Sequence, residues 1–186
     1  MVANPAVESG AVSVEAALAP GLAAELAPVL RSLPYAATYS QGPSGIVWRC
    51  EFNLPTARDP QYPDCLFSLR EFLNVDACAL AKAHLGGNYE NTSTGTLAAW
   101  MIRKGCYVDA ERSANPGHVD FVLDISGAAW PAEWGGHLEF AGADGIEQLP
   151  ASSAGTLHLL AGGAPRIPLL TRQVEGLWVV GRLTRA

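Results

Sequence analysis

The pattern of apolar residues changes near Gly86 and Gly87, and this change limits the possible folds more than any other feature of the chain. Before these glycines, two segments rich in alanine and leucine place apolar residues at helical spacing. After them, short apolar segments recur at intervals of roughly 8–12 residues, between clusters of Gly, Pro, Asn and Ser. Helices followed by short strands predict an α+β domain, in which helices pack on one face of a barrel or sandwich.

The chain has 186 residues, which is enough for one domain with its own core. We expect this domain to cover residues 12–186, after a flexible tail over residues 1–11. Helices that support the barrel are expected over residues 12–33 and 64–86. Pro20 and the glycine after it are expected to divide the first of these segments into two short helices.

The strands of the barrel are expected within residues 35–54 and 96–186. β-Branched and aromatic residues alternate there with turn residues, which is typical of short antiparallel strands. The individual segments are Gly45–Leu54, Thr96–Ile102, Cys106–Val108, Val119–Ile125, His137–Phe140, Thr156–Leu160, Ile167–Leu170 and Leu177–Leu183.

Composition excludes several classes of function. The formal net charge of -6 disfavours a general surface for nucleic acids or anionic membranes. It is compatible with a small neutral or cationic ligand, or with a carrier protein that binds a local basic patch. The four cysteines form no C-x-x-C pair, which argues against structural zinc and a disulfide framework. The chain shows neither a signal peptide nor a long apolar segment, so we expect a cytoplasmic protein. An uncovered edge strand would favour a homodimer.

Three segments in the strand region resemble one family in their order and spacing: Arg103–Val108, Phe121–Ser126 and Trp130–Phe140. The resemblance covers about residues 35–186 and is to the prolyl-hydroxylase-like branch of the iron(II)/2-oxoglutarate-dependent oxygenases. It implies a double-stranded β-helix, which is a jelly-roll or cupin-like barrel. It also implies an iron(II) ion held by two histidines and one carboxylate, with an arginine that pairs with 2-oxoglutarate.

The expected histidine and aspartate of the first ligand pair are missing. Counting forward from the Gly105–Val108 segment places the pair at Glu111 and Ser113, whereas counting backward from Phe121 places it at Asp109 and Glu111. The two registers differ by two residues, and neither of them contains a histidine.

The downstream ligands implied by the resemblance are missing as well. The distal histidine should follow the Thr156–Leu160 strand, where the chain has Pro165 and Arg166. The arginine for 2-oxoglutarate should begin the last strand, where the chain has Glu175 and Gly176. We therefore expect no cofactor, and the alternative is iron(II) with 2-oxoglutarate bound through displaced ligands.

The displaced ligands would be His118 and Asp120, which form a literal His-x-Asp motif. This motif lies about one strand too late for the family pattern, and so short a pattern also occurs by chance. His158 lies in an apolar run, which is typical of a core or strand histidine rather than a metal ligand.

A barrel without the metal still has a cavity, and its mouth is expected to hold acidic and basic side chains. Carboxylates in an apolar cavity have raised pKa values, which suits acid–base catalysis, and an arginine can hold an anionic group. The expected catalytic residues are Asp109, Glu111 and Arg166, and the expected substrate-binding residues are Tyr107, Trp100 and Arg112.

Three functions are compatible with these observations. The first is a metal-independent enzyme of specialised (natural-product) metabolism, which catalyses the cyclisation, isomerisation or elimination of a small molecule. The second is an active iron(II)/2-oxoglutarate hydroxylase with displaced ligands, and the third is a non-catalytic protein that binds a ligand or partner. Iron content and 2-oxoglutarate turnover separate the first two.

Overall fold

Two antiparallel sheets and three helices form the protein in a computed structural model that describes residues 10–39, 45–91, 97–109, 117–127, 130–142 and 145–186. The helices are α1 (Pro20–Arg31), α2 (Asp64–Asn74) and α3 (Asp76–Leu85). The strands are β1 (Gly10–Val14), β2 (Ala36–Tyr39), β3 (Gly45–Glu51), β4 (Tyr89–Asn91), β5 (Ala98–Arg103), β6 (Tyr107–Val108), β7 (His118–Asp124), β8 (Glu139–Gly142), β9 (Gly145–Gln148), β10 (Leu157–Ala161), β11 (Ala164–Arg166) and β12 (Glu175–Arg185).

The larger sheet has the order β1-β10-β7-β12-β5-β3-β2, with β4 beside β12 and β6 beside β3. The smaller sheet has the order β11-β8-β9. An antiparallel bridge between Val108, at the end of β6, and Ile167, just after β11, connects the two sheets. The strands thus curl into the barrel that the sequence predicts.

The core has two layers, because successive residues of a strand point to opposite faces of the sheet. One layer lies between the larger sheet and the helices and includes Leu69 of α2, Phe121 of β7 and Val179 of β12. The other lies between the two sheets and includes Val122 of β7 and Trp178 of β12. We call the surface of each sheet that faces this second layer its inner face. None of the helices in the described part of the chain has the length and apolar character needed to cross a bilayer.

The N-terminal segment differs from the expected helix over residues 12–33. Residues Gly10–Val14 form a strand that pairs with β10, and the helix begins only at Pro20. The alternation of valine and serine over residues 12–14 suits an edge strand, while the fixed φ of proline suits the first turn of a helix. Pro20 therefore begins α1 instead of separating two helices.

The last strand of the smaller sheet also differs from the prediction over Ile167–Leu170. The strand β11 ends at Arg166, and beyond it the chain forms hydrogen bonds with residues 105–108 and with Gly136 instead of a regular ladder with β8. Gly136 N–H donates to the Pro168 carbonyl, and Leu170 N–H donates to the Cys106 carbonyl. Since Pro168 has no N–H to donate, a regular ladder cannot continue through it.

The Gly135-Gly136 pair permits a close backbone approach. Gly135 has a φ of 72°, and a Cβ atom at this residue would lie 2.0 Å from the Leu169 carbonyl oxygen. A side chain at this residue would clash with that oxygen, and the positive φ also favours glycine. The glycines of the Trp130–Phe140 motif thus bring the start of β8 against the segment after β11.

His158 of β10 is a buried core histidine. Only 1% of its surface is exposed, and its Nδ1 lies 2.8 Å from the Ser13 hydroxyl of the neighbouring strand β1. Burial lowers the pKa of His158 from 6.5 to about 4, because the charged imidazolium loses its hydration. At neutral pH the imidazole is therefore uncharged.

The buried imidazole predicts a loss of stability in mild acid. Between pH 6.5 and pH 4 the unfolded chain binds a proton at His158 that the folded chain does not, so the free energy of unfolding decreases as the pH falls. The full loss is about 3 kcal/mol. Urea denaturation across this range should show the slope in the wild type, and a smaller slope in His158→Gln. Equal slopes in the two proteins would contradict this prediction.

Candidate functional site

Polar residues replace the apolar core on the inner faces of β7 and β12 as these strands approach Gly117 and Arg185. Val122 of β7 and Val180 of β12 belong to the layer between the sheets or pack against it. Because alternate residues share a face, the polar residues at even spacing from these valines continue the same surface. We call this set the mouth cluster, and it consists of His118, Asp120, Arg182 and Thr184.

Asp120 and Arg182 form a two-point ion pair within the mouth cluster. They are directly opposite each other in the β7–β12 ladder. Arg182 Nε donates to Asp120 Oδ1 over 2.6 Å, and Arg182 Nη2 donates to Asp120 Oδ2 over 3.2 Å. The carboxylate of Asp120 raises the pKa of Arg182, mainly through the side-chain hydrogen bond. This pair fixes the orientation of a guanidinium whose side chain is still 41% exposed.

His118 is oriented by Thr184, which is opposite it in the same ladder. Its Nδ1 lies 3.3 Å from the Thr184 hydroxyl. Within the described ranges, its Nε2 makes no hydrogen bond. The ring is half-buried, so solvent or a substrate can reach it. An imidazole held at one nitrogen and accessible at the other is suited to proton transfer.

Toward the opposite end of β12, aromatic side chains fill the barrel interior. Trp178 is only 3% exposed, and it lies directly opposite Trp100 of β5. Both indoles are thus on the inner face of the larger sheet. From Trp178 to Thr184 the inner face changes from buried and aromatic to half-exposed and polar. The mouth cluster therefore lies at the accessible end of the barrel.

Asp109 and Arg166 meet, but on the outer face of the smaller sheet. Arg166 forms an ion pair with Glu139 of β8, and its Nε lies 3.4 Å from Asp109 Oδ1. Glu139 alternates with Leu138 and Phe140, which are both buried between the sheets, so its side chain points away from the barrel interior. Arg166 pairs with Glu139 in the β11–β8 ladder and shares this outer face.

This placement differs from the expected position of Arg166 in the cavity. Pro165, the other residue expected near the distal histidine position, pairs with Phe140 and is on the inner face. Tyr107 and Asp109 flank Val108, which packs against the inner core, so their side chains lie on the outer side of β6. The other candidates of this segment, Glu111, Arg112 and Ser113, lie outside the described residues.

Glu139 connects this outer-face network to His137, and no role at this site was predicted for either of them. Glu139 Oε1 lies 3.0 Å from His137 Nε2, while the other carboxylate oxygen accepts from Arg166. The side chains of Glu139 and His137 are only 13% and 16% exposed. The spacing of two residues between them, and their alternation with Leu138 and Phe140, are the signals in the sequence that could have paired them.

The described residues do not fit an iron(II)/2-oxoglutarate site. Within the described ranges, no three His, Cys, Asp or Glu side chains are grouped so that they could hold a metal ion. Both oxygens of Asp120 bind Arg182. Gly176 has the inner-face position at the start of β12, where it offers no side chain, and Glu175 on the other face pairs with Arg31 of α1.

No family model and no curated protein matches the chain. Solved structures match nearly all of it. A prolyl-4-hydroxylase from Pseudomonas putida has 18% identity and a TM-score of 0.62, over 96% of this chain and 94% of its own. The α-ketoglutarate-dependent epimerase SnoN from nogalamycin biosynthesis has 13% identity and a TM-score of 0.67, over 96% and 77%.

A third similar structure is HygX from Streptomyces hygroscopicus, solved with nickel, 2-oxoglutarate and hygromycin B bound. It has 10% identity and a TM-score of 0.63, over 96% of this chain and 84% of its own. The chain thus has the double-stranded β-helix fold of the iron(II)/2-oxoglutarate oxygenases, which confirms the fold predicted from the sequence motifs.

Proposed function

We propose that this chain, on the scaffold of an iron(II)/2-oxoglutarate oxygenase, is a metal-independent enzyme that transfers protons on a small molecule. The observation that carries the proposal is the mouth cluster, which places an imidazole and an oriented guanidinium on the inner face of an otherwise apolar barrel. Arginine holds anionic groups, and histidine exchanges protons near neutral pH.

In this proposal His118 is the general acid or base, and it exchanges the proton at Nε2. The Thr184 hydroxyl next to Nδ1 holds the ring in place. Arg182, which Asp120 orients, binds a carboxylate of the substrate or stabilises an oxyanion that develops during the reaction. The half-buried Val180 provides an apolar wall beside these groups.

The residues first expected to be catalytic have secondary roles in the proposal. Asp109 is 64% exposed and pairs with Arg166 on the outer face, so its carboxylate does not lie in an apolar cavity. Glu111 and Arg112 belong to the connection between β6 and β7, which leads directly to His118. We propose that they contribute an acid–base group and a substrate contact at the barrel mouth.

The proposed substrate is an apolar small molecule of specialised metabolism, and the proposed reaction is a cyclisation, an isomerisation or an elimination. This class is supported by SnoN and HygX, which have the same fold and whose structures contain nogalamycin RO and hygromycin B. Apolar residues next to the mouth cluster favour a substrate with an apolar body. Recognition of a carrier-bound substrate and formation of a homodimer stay predictions.

The proposal is tested by turnover in deuterated water. The protein is treated with a chelator and incubated with candidate substrates made by enzymes encoded next to it, without 2-oxoglutarate. We expect product formation that the chelator does not reduce, and solvent deuterium at the carbon that loses or gains a proton. These results follow because proton transfer requires only the side chains of the mouth cluster.

Two outcomes would overturn the proposal in favour of its alternatives. Conversion of 2-oxoglutarate to succinate that depends on added iron(II) would identify an oxygenase with ligands outside the described residues. Tight binding of the candidate substrates, without turnover or deuterium incorporation, would identify a non-catalytic binding protein.

A further inference from the structure

A cavity of about 110 Å³ lies beside Trp178, toward the end of the barrel opposite the mouth cluster. Its floor consists of Leu138, Leu149 and Trp178, which are at most 6% exposed. Its rim includes the exposed Gln148, so the cavity opens to solvent. The mouth cluster lines no part of this cavity, and the two sites are separated along β12 by the stretch from Trp178 to Arg182.

Two buried polar atoms of the cavity lining have no hydrogen-bond partner within the described residues. They are Nε1 of Trp178 and Nδ1 of His137. Other polar groups of the same lining are satisfied: Trp130 Nε1 donates to the Gly135 carbonyl over 2.7 Å, and the Ser152 hydroxyl donates to Asp124. Buried polar groups are normally paired, so unpaired atoms on two residues that line one cavity point to a bound group as their partner.

The contact with Glu139 determines whether His137 Nδ1 donates or accepts a hydrogen bond. Glu139 Oε1 lies 3.0 Å from His137 Nε2, and the other oxygen of this carboxylate is paired with Arg166. A carboxylate only accepts hydrogen bonds, so His137 Nε2 must carry the proton. In the neutral ring, Nδ1 is then an acceptor. The indole N–H of Trp178 can only donate.

We propose that this cavity binds a small molecule with an apolar body and a hydroxyl group. A hydroxyl donates one hydrogen bond and accepts another, so it pairs with His137 Nδ1 and Trp178 Nε1 together. A carboxylate lacks the proton that Nδ1 requires, and an ammonium group lacks the acceptor that the indole requires. The apolar floor formed by Leu138 and Leu149 contacts the body of the ligand.

The size of the cavity limits the bound part of the ligand. Liquid water occupies about 30 Å³ per molecule, so the cavity accommodates roughly four to six non-hydrogen atoms. A short aliphatic alcohol fills this space, and so does the hydroxyl-bearing end of a longer molecule that leaves past Gln148.

The test uses the full chain labelled with ¹⁵N, and 1-butanol and butyrate as probes of equal carbon number. We expect 1-butanol to shift the indole resonance of Trp178, which is assigned by its absence in Trp178→Phe, and butyrate to leave it unchanged. The imidazole nitrogen resonances of His137 should show the proton on Nε2. Trp178→Phe and His137→Leu should each weaken 1-butanol binding about five- to tenfold, because each variant removes one hydrogen bond.

Trp48→Phe is the matched control, since Trp48 lies on β3 and lines no part of this cavity. It should bind 1-butanol as the wild type does. If Trp178→Phe does not fold, His137→Leu carries the comparison alone. An unmoved Trp178 resonance at saturating 1-butanol would show that the cavity holds only water and would overturn the proposal. Preferential binding of butyrate would overturn it as well, by indicating a charged His137.

Discussion

Replacing His118 by glutamine is expected to lower kcat by about 10²- to 10⁴-fold, which is the usual contribution of general acid–base catalysis. Glutamine has a similar size and can still bond to the Thr184 hydroxyl, but it cannot exchange a proton. KM should change much less, because the variant retains Arg182, the residue proposed to bind the substrate. The measurement is steady-state turnover of the substrate identified in deuterated water, together with its deuterium incorporation.

The matched control for this prediction is His84→Gln. His84 is an exposed residue in the last turn of α3 and has no place in the barrel. The control should retain wild-type kcat. Wild-type turnover in His118→Gln would show that the imidazole is not the acid–base group. The carboxyl group of Glu111 would then be the next candidate.

The second large effect is expected from Asp124→Ala, which should lower the free energy of unfolding by about 3–5 kcal/mol. Asp124 is fully buried, and its Oδ1 accepts the backbone N–H groups of Ser126 and Gly127, each over 2.9 Å. Its Oδ2 accepts from the hydroxyl of Ser152. Alanine would leave these part-buried donors without their acceptor, and each unpaired donor costs free energy.

Asp124 also connects separate parts of the barrel, which explains why the effect should be large. Ser126, which it holds, accepts the N–H of Leu177 on β12, and Ser152 precedes β10. Urea denaturation measures the change. Asp64→Ala is the control, because the Asp64 side chain is 78% exposed, and it should change stability by only about 0.5 kcal/mol. A loss no larger than that of the control would contradict the prediction for Asp124.

The barrel was predictable from the sequence because each short strand is marked by residues within its own segment. Turn residues and β-branched residues determine β5, β7 and β12 within their own segments, and the Trp130–Phe140 motif added the family resemblance. The strand at Gly10–Val14 was missed because alanine and leucine after it favour a helix. Its strand structure depends on pairing with β10, which is far away in the sequence.

The site was less predictable, because the direction of a side chain depends on strand register. Arg166 is one residue away from the inner-face Pro165, and only the pairing of β11 with β8 decides which of them enters the barrel. The pair of Asp120 and Arg182 is separated by 62 residues in the chain and is formed by the β7–β12 ladder. Counting along the sequence identified Asp120 through its His-x-Asp motif, but it could not identify the partner.

Strand β12 links the geometry of the mouth cluster to the stability of the fold. A slip of β12 by one residue against β7 would reverse every side chain on it. Arg182 and Thr184 would then point into the apolar core layer between the larger sheet and the helices, while Leu183 would point to the inner face, beside His118 and Asp120. Mutational drift that loosened this pairing would thus remove the polar cluster and the fold in one event, so selection for a well-folded sheet also preserves the geometry of the cluster.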